Sequence, residues 1–259
     1  MRFPPQRIVC LTEETVETLY LLGEQDRIVG VSVYAERPPE LKDEKPRISA
    51  FTSANIPKIL DLKPDLVLTF SDLQADIVAE LIRAGLEVHA FNQRDVAGIL
   101  AMIRTLGGLI GVSKKANLLA DSFEARIDRM REESKGGTRK RVFFEEWDEP
   151  LISAIGWVSE LIEIAGGEDV FAHLRTGQLA SERIVTADAV IEARPDVIMA
   201  SWCGKKVRPD KIAARPGWSQ IPAIANGQIH ELDPAIILQP GPAVLTDGVD
   251  RMVQILQGV

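Results

Sequence analysis

The sequence lacks the short motifs by which nucleotide-dependent, zinc-dependent and serine enzymes are most often recognised. It contains no GxxxxGK[ST] or GxGxxG loop for phosphates, no HExxH or CxxC metal pattern and no GxSxG nucleophile turn. Its three histidines, His89, His173 and His230, are far apart in the chain, so no metal-ligating spacing is evident. We therefore expect neither a metal site nor a catalytic cofactor.

The chain is also poor in cysteine, in basic runs and in long apolar stretches. Its two cysteines, Cys10 and Cys203, do not make a disulfide framework and are expected to be plain thiols. With 38 acidic against 30 basic residues the formal net charge is −8, which disfavours nucleic acid as a partner. No apolar run approaches the roughly 18–20 residues of a membrane span.

The N-terminal residues MRFPPQRIVCL lack the apolar segment of a secretory signal peptide. The sequence by itself therefore predicts a protein that is cytoplasmic, or one that is exported by a leader outside this sequence.

What the sequence does contain is a regular alternation of strand and helix patterns. The apolar segment RIVCL is followed by the helical spacing of EETVETLYLLG, and PDLVLTF is followed by ADIVAELIRAG. The strand segments are apolar on both faces, as the strands of a parallel sheet must be when helices cover it. The pattern predicts an α/β fold with mostly parallel sheets.

One long helix is predicted in the middle of the chain. From Ser113 to about Ser134 there is no glycine or proline, and apolar residues from Val112 to Met130 recur every three or four positions. Such a helix would be about 33 Å long. Two interpretations fit it: a surface helix of one domain, and a helix that joins two lobes.

The second half of the sequence repeats the pattern of the first, at an interval of roughly 130–145 residues. LKPDLVLTFS matches ARPDVIMASW, RIVCL matches RVFFEE, and LLGEQDRIVGV matches IAGGEDVF. The repeat favours two similar lobes joined by the long helix, with residues 1–111, 112–137 and 138–259 as the three parts. Because this helix has no kink site, we expect the lobes to rotate by less than about 20° on ligand binding.

Aromatic residues make up only 5% of the chain, but several fall where a ligand is expected. Ligands of open parallel sheets bind beyond the carboxyl ends of the strands. Four aromatic residues follow predicted strands: Tyr34, Phe51, Trp147 and Trp202. Trp157 and Trp218 lie in other connections and fit a core role at least as well. A cleft with aromatic faces and few cations suits a large, flat, partly apolar ligand.

Five segments between residues 7 and 252 carry a resemblance to a known family. They are TVETLYLLGEQDRIVGVSVYAERPPE, IPKILDLKPDLVLTF, VSELIEIAGGEDVF, VIEARPDVIMASW and RPGWSQIPAIANGQIHEL. The sequence resembles the class III substrate-binding proteins of ABC transporters, in which a helical backbone connects two lobes, and most closely the cobalamin-binding members. Relatives in this group also carry ferric siderophores and haem.

The resemblance implies a set of ligand-contacting positions in the cleft between the lobes. Tyr34 resembles the family tyrosine that contacts the corrin ring, and Trp147 lies where the second lobe presents an aromatic residue to the ligand. Together with Trp202 these side chains would supply much of the contact surface. The full implied set is Tyr34, Phe51, Thr52, Ser53, Trp147, Trp202, Cys203, Pro240 and Gly241.

The sequence departs from the family at the positions that dock on the transporter. Cobalamin-importer binding proteins place one exposed glutamate on each lobe against arginines of the permease. Here the first-lobe positions hold Pro57 and Lys58, and the matching second-lobe position holds Asp188. One docking acid is thus missing and the other is shortened, which leaves Asp188 as the candidate docking residue.

These observations predict a non-enzymatic, monomeric binding protein that holds a corrinoid, cobalamin, as its ligand and delivers it to an ABC importer. By resemblance such a protein is periplasmic. The alternative within the binding class is a ferric siderophore or haem receptor. A siderophore would need cations such as Lys205, Lys206 and Arg208, and haem would need an axial ligand such as Tyr34 or a histidine.

The alternative of another class is a cytosolic cofactor-processing or chelatase-like enzyme. Such an enzyme would need an acid or base in the cleft, and Glu145, Glu146 and Asp148 are the candidates. The preferred interpretation of these acids is different: with Glu149 they are expected to form a solvated strand end.

Overall fold

The computed structural model of the protein describes residues 3–258, without the side chains of residues 42 and 43. The chain divides into two compact units. The first consists of the residues up to Gln93 together with Ala97–Glu124, and the second consists of Arg94–Val96 together with the chain from Ala125 onward. The three-part division at residues 111 and 137 stays a proposal.

The first unit is built on a six-stranded sheet. Its strands are β1 (Ile8–Cys10), β2 (Ile28–Ser32), β3 (Arg47–Ala50), β4 (Ser53–Ala54), β5 (Leu66–Phe70) and β6 (Val88–Phe91). Their order across the sheet is β4-β3-β2-β1-β5-β6, and all neighbours are parallel except β3 and β4. Strand β1 lies inside the sheet and is fully buried, which accounts for its uninterrupted apolar sequence.

Helices follow these strands along the chain. They are α1 (Glu13–Leu21), α2 (Ile56–Asp61), α3 (Ala75–Arg83) and α4 (Val96–Leu109). Ile59 of α2 and Leu81 of α3 belong to the same buried cluster as Val9 of β1. Strand β2 carries Gly30 at a point of close approach, where a Cβ atom would lie 2.7 Å from Cδ1 of Leu62.

The predicted long helix is confirmed as α5 (Ser113–Glu133). Ala116, Phe123 and Ile127 of the predicted apolar stripe are buried, and Ala120 is buried beside them. Gly107 of α4 lies so close to Ala116 that a Cβ atom at this glycine would be 2.1 Å from the alanine Cβ. The boundary between the two units falls within α5, after Glu124.

The second unit is built on a four-stranded parallel sheet. Its strands are β7 (Arg141–Glu145), β10 (Glu168–Asp169), β11 (Val197–Ala200) and β12 (Ile229–Glu231), in the order β10-β7-β11-β12. A separate antiparallel ribbon is formed by β8 (Trp147–Asp148) and β9 (Leu151–Ile152). The helices are α6 (Gly156–Ile164), α7 (Ala187–Ala193), α8 (Pro209–Ala213), α9 (Pro222–Ala225), α10 (Pro234–Ile237) and α11 (Asp247–Gln257).

The predicted fold class is therefore confirmed: the chain is α/β, its sheets are mostly parallel, and it contains one long helix. The repeat seen in the sequence corresponds to a local structure that both units share. In the first unit the Asp65 carboxylate accepts hydrogen bonds from the backbone N–H groups of Gln6 and Arg7, each at 2.8 Å. In the second, Asp196 accepts one from the backbone N–H of Arg141 at 2.9 Å.

We call this arrangement the Pro-Asp clamp, because the aspartate follows a proline and holds the beginning of the first strand of its unit. The residue before each proline, Lys63 or Arg194, has the left-handed φ of 49° or 46° that ends the preceding helix. The arginine at the beginning of each strand binds that helix end. Arg7 donates to the Leu62 carbonyl at 2.6 Å, and Arg141 donates to the Ala193 carbonyl at 3.0 Å.

The clamp predicts a measurable contribution to stability. Asp65→Ala should lower the free energy of unfolding by about 1–2 kcal/mol, because two charge-assisted hydrogen bonds to backbone N–H groups are lost. Urea unfolding followed by circular dichroism measures this. The control is Asp61→Ala, an exposed carboxylate at the end of α2. Equal stability of the two variants would contradict the clamp.

Candidate ligand-binding site

In the second unit, the two segments that carry Trp147 and Trp202 leave the sheet side by side. Strands β7 and β11 are parallel neighbours, with Glu145 opposite Ala200 in the register. The backbone N–H of Ser201 still donates to the Glu145 carbonyl at 3.0 Å, so the two strand ends remain joined. The residues that follow them therefore come together at the carboxyl edge of the sheet, where parallel sheets bind their ligands.

Glu145, the last residue of β7, is fully buried at this edge. Its carboxylate accepts two hydrogen bonds from the Arg215 guanidinium, at 2.5 and 2.9 Å, and one from Nε1 of Trp202 at 3.2 Å. Burial raises the pKa of Glu145, and the hydrogen bonds from Arg215 and Trp202 oppose that rise. The guanidinium also lies 4.5 Å from the ring centroid of Trp218. Glu145 thus fixes the orientation of the Trp202 ring.

Glu146 is held by a second arginine. Arg183, whose side chain is only 1% exposed, donates to both carboxylate oxygens of Glu146, at 2.6 and 3.1 Å, and to the Ser153 carbonyl at 2.6 Å. The expectation of a solvated strand end is therefore wrong for Glu145 and Glu146. The reason is that arginines 37 and 70 residues further along the chain neutralise the two acids away from water.

The exposed side of the site is formed by Trp147, Asp148 and Lys205. The Lys205 ammonium lies 4.0 Å from the ring centroid of Trp147 and 4.9 Å from that of Trp202, and it forms an ion pair with Asp148. Trp147 is half-buried and donates from Nε1 to the Glu149 carbonyl at 3.0 Å. Trp202 is only 3% exposed and belongs to the hydrophobic core of its unit.

The other two tryptophans are core residues. Trp157 of α6 is 2% exposed and donates from Nε1 to the Ile237 carbonyl at 2.9 Å. Trp218 is fully buried and makes an edge contact with Phe143, with the ring centroids 6.3 Å apart. Of the four tryptophans, only Trp147 exposes a substantial part of its side chain.

In the first unit, Tyr34 follows β2 and is 44% exposed. Its backbone N–H donates to Oγ of Ser32 at 3.1 Å. Arg47 holds the same turn by donating to the carbonyls of Ser32 and Ala35, at 2.9 and 2.6 Å. The tyrosine ring is thus presented from a fixed turn at the carboxyl end of a parallel strand.

The segment of Phe51, Thr52 and Ser53 forms the turn between β3 and β4, where Ala50 pairs with Ser53. The Gln74 side chain donates to the Phe51 carbonyl at 2.9 Å. Thr52 and Ser53 are exposed and Phe51 is half-buried. Ser53 also lines an open depression of about 700 Å³ along β3, β4 and α2.

The remaining predicted residues lie in the second unit. Pro240 and Gly241 are buried just before the turn that leads into α11, whereas Cys203 is exposed. Asp188 is exposed in the first turn of α7, a helix capped by Oγ1 of Thr186, which accepts from the Ala189 N–H at 3.1 Å. The structure therefore presents Asp188 to solvent, while Pro57 and Lys58 occupy the exposed first turn of α2.

Two glutamates in the first unit form a buried polar site that is not among the predicted ligand-contacting residues. Glu13 and Glu14 begin α1, directly beyond β1, and are only 5% and 2% exposed. Oγ1 of Thr12 donates to Glu14 at 2.6 Å, and one oxygen of Glu13 is buried without a hydrogen-bond partner within residues 3–258. Burial, with the nearby charge of Glu13 adding to it, raises the pKa of Glu14 to about 8. Consecutive acids directly after an apolar strand are the signal that could have indicated this site.

Glu14 predicts how stability depends on pH. Because its pKa is raised from 4.5 to about 8, the folded state holds a proton that the unfolded state releases. The stability that the folded protein gains from this proton is fully present below about pH 4.5 and is lost as the pH rises through 8. The Glu14→Gln variant mimics the protonated form. Its stability should therefore not decrease over this pH range, and its Tm should be a few °C above that of wild type at pH 8. Thermal melts at pH 5, 6.5 and 8 measure it, and parallel curves for the two proteins would contradict the assignment.

Within residues 3–258, no group of three or more histidine, cysteine, aspartate or glutamate side chains is arranged to hold a metal ion. In the same range, no helix is long and apolar enough to cross a membrane.

The sequence profile of the family described as periplasmic binding protein matches residues 8–236. The match covers most of the chain, so the protein belongs to this family, whose members are substrate-binding proteins of ABC transporters. The resemblance inferred from the sequence is thereby confirmed.

The sequences of individual relatives align with this chain over nearly its full length. An uncharacterized ABC transporter substrate-binding lipoprotein of Bacillus subtilis is 27% identical, covering 96% of this chain and 79% of the relative. The vitamin B12-binding protein of Vibrio cholerae is 26% identical, covering 98% of this chain and 90% of the relative.

Solved structures show the same fold. The crystal structure of the periplasmic vitamin B12 binding protein of Vibrio cholerae has a TM-score of 0.77 at 25% identity and covers 99% of this chain and 98% of that one. The periplasmic haem-binding protein of Roseiflexus has a TM-score of 0.81 at 24% identity, covering 97% and 99%. Proteins of this fold thus carry different ligands.

Proposed function

We propose that the protein binds a corrinoid, cobalamin, and delivers it to an ABC importer without catalysing a reaction. The observation that carries the proposal is the full-length similarity to the vitamin B12-binding protein of Vibrio cholerae. The proposed ligand-contacting residues are Tyr34, Phe51, Thr52, Ser53, Trp147, Trp202, Cys203, Pro240 and Gly241.

The chemistry of the strand ends supports a flat, weakly charged ligand. Trp147 and Tyr34 each present an aromatic ring beyond a parallel strand, and aromatic faces bury large areas against planar groups. A corrin ring is a large planar ligand of this kind, and its amide side chains can pair with the polar groups at the strand ends. The Trp202 ring, which lies against the Lys205 ammonium and is held by its hydrogen bond to Glu145, would add further aromatic contact surface.

The charges nearby disfavour the two alternatives. A siderophore with several negative charges would need several available cations, and two of the three candidates are in ion pairs, Lys205 with Asp148 and Arg208 with Asp210. The acids that an enzyme would need are engaged as well, since Glu145 and Glu146 are each bound by an arginine. Haem is the closer competitor, with the exposed Tyr34 as its axial ligand.

The partner under this proposal is an ABC permease that contacts the exposed Asp188, and the protein acts as a monomer outside the cytoplasmic membrane. The names of the relatives support this location, since one is a lipoprotein and the others are periplasmic. The proposed set of partners includes neither nucleic acid nor a membrane-inserted segment.

The test is titration of the purified protein with cyanocobalamin, haemin and a ferric siderophore, read by isothermal calorimetry. We expect saturable 1:1 binding of cyanocobalamin, with at least about tenfold weaker binding of the other two. Saturation by haemin with no heat from cyanocobalamin would reject the corrinoid assignment and favour the haem receptor.

Trp147 gives a sharper test of the site. Trp147→Ala should raise the Kd for cobalamin about thirtyfold, the effect of roughly 2 kcal/mol that truncating a central aromatic anchor produces. Trp147→Phe keeps a flat face and should recover most of that loss. Because Trp202 is a core residue, the milder Trp202→Phe is its matched variant, and thermal melting checks that each protein folds. Binding of Trp147→Ala within about threefold of wild type would remove this residue from the site.

A further inference from the structure

The side chains of Trp147, Trp202 and Asp148 surround the ammonium group of Lys205. The distances from Nζ to the two ring centroids are 4.0 and 4.9 Å, and the carboxylate completes the enclosure through its ion pair. We call these three residues the cation cage. Trp147 and Asp148 form β8, and Trp202 is the second residue after β11, whereas Lys205 lies further along the loop, beyond Gly204 with its left-handed φ of 75°.

This combination is the one that proteins use to bind organic cations. The face of an indole ring attracts a cation through the negative charge of its π system, and a nearby carboxylate adds the attraction of opposite charge. Here the bound cation belongs to the protein itself. The side chains of Lys205 and Asp148 are 40% and 25% exposed, so the pair lies at the surface of the site rather than in the core.

The other charges around the cage are already balanced. Glu145 is bound by Arg215, and Glu146 is bound by Arg183. A ligand that approaches the Trp147 face therefore meets the Lys205 ammonium as the nearest cation among these groups. A cationic group must displace this ammonium before it can reach the cage, whereas an anionic group can approach the ammonium directly.

We propose that Lys205 determines the charge selectivity of the ligand site: it fills the cation cage, excludes organic cations and favours ligands with an anionic group facing it. This inference rests on the proposed function in so far as the Trp147 face is where the ligand binds. For corrinoids it predicts a preference for cobalamin, which carries an anionic phosphodiester, over cobinamide, which lacks that group.

The first experiment tests the cage without a corrinoid. Tetramethylammonium is titrated into wild type, Lys205→Ala and Lys206→Ala, and tryptophan fluorescence is recorded. We expect saturable binding to Lys205→Ala that is at least about tenfold tighter than to wild type or to the neighbouring-lysine control. The double variant Lys205→Ala with Asp148→Asn should lose this gain. Identical titrations for Lys205→Ala and wild type would overturn the proposal.

The second experiment measures selectivity. The ratio of the Kd values for cobinamide and cobalamin should fall by about tenfold or more in Lys205→Ala and stay within about threefold of wild type in Lys205→Arg. An unchanged ratio in Lys205→Ala would overturn the proposed selectivity. Should the alanine variant not fold, Lys205→Met removes the charge while it keeps the aliphatic stem.

Failure of the proposed function gives a different result from failure of this inference. If wild type binds neither corrinoid, the proposed function is rejected, and the tetramethylammonium titration still decides whether Lys205 fills a cation cage. If both corrinoids bind with a ratio that does not depend on residue 205, the proposed function stands and the selectivity assigned to Lys205 is rejected.

Discussion

The candidate site depends on one buried ion pair, Glu145 with Arg215. A carboxylate without exposure to water costs several kcal/mol of desolvation unless a partner and further hydrogen bonds compensate it. Arg215 supplies the opposite charge in bidentate form, and Trp202 supplies the remaining donor. The pair, with its hydrogen bond from Trp202, joins the end of β7, the segment that follows β11 and the loop that follows α8. Each of these segments is therefore held in place by the same carboxylate.

Much of the fold could be predicted from the sequence because local patterns determine it. Fully apolar runs such as IVCL become buried parallel strands, and the unbroken three-four spacing after Ser113 becomes α5. The Pro-Asp repeat was visible for the same reason, since a left-handed residue followed by a proline ends the preceding helix through local backbone geometry. Its physical role, a carboxylate that holds the beginning of another strand, became clear only from the structure.

The candidate site was less predictable because its determinants are far apart in the chain. Nothing in the local sequence of Arg183 or Arg215 indicates that each will be paired with an acid dozens of residues earlier. For the same reason the acids near Trp147 resembled an exposed cluster. Trp202 illustrates a second limit: its position after a strand is evident from the sequence, but its burial depends on packing against residues of several other segments.

The distribution of aromatic residues has a practical consequence. All four tryptophans lie in the second unit, and both tyrosines lie in the first. Tryptophan emission, excited selectively, therefore reports on the second unit alone. Without any added label, the unfolding of that half can be compared with the loss of secondary structure in the whole molecule, so a difference in the order in which the halves melt would be visible.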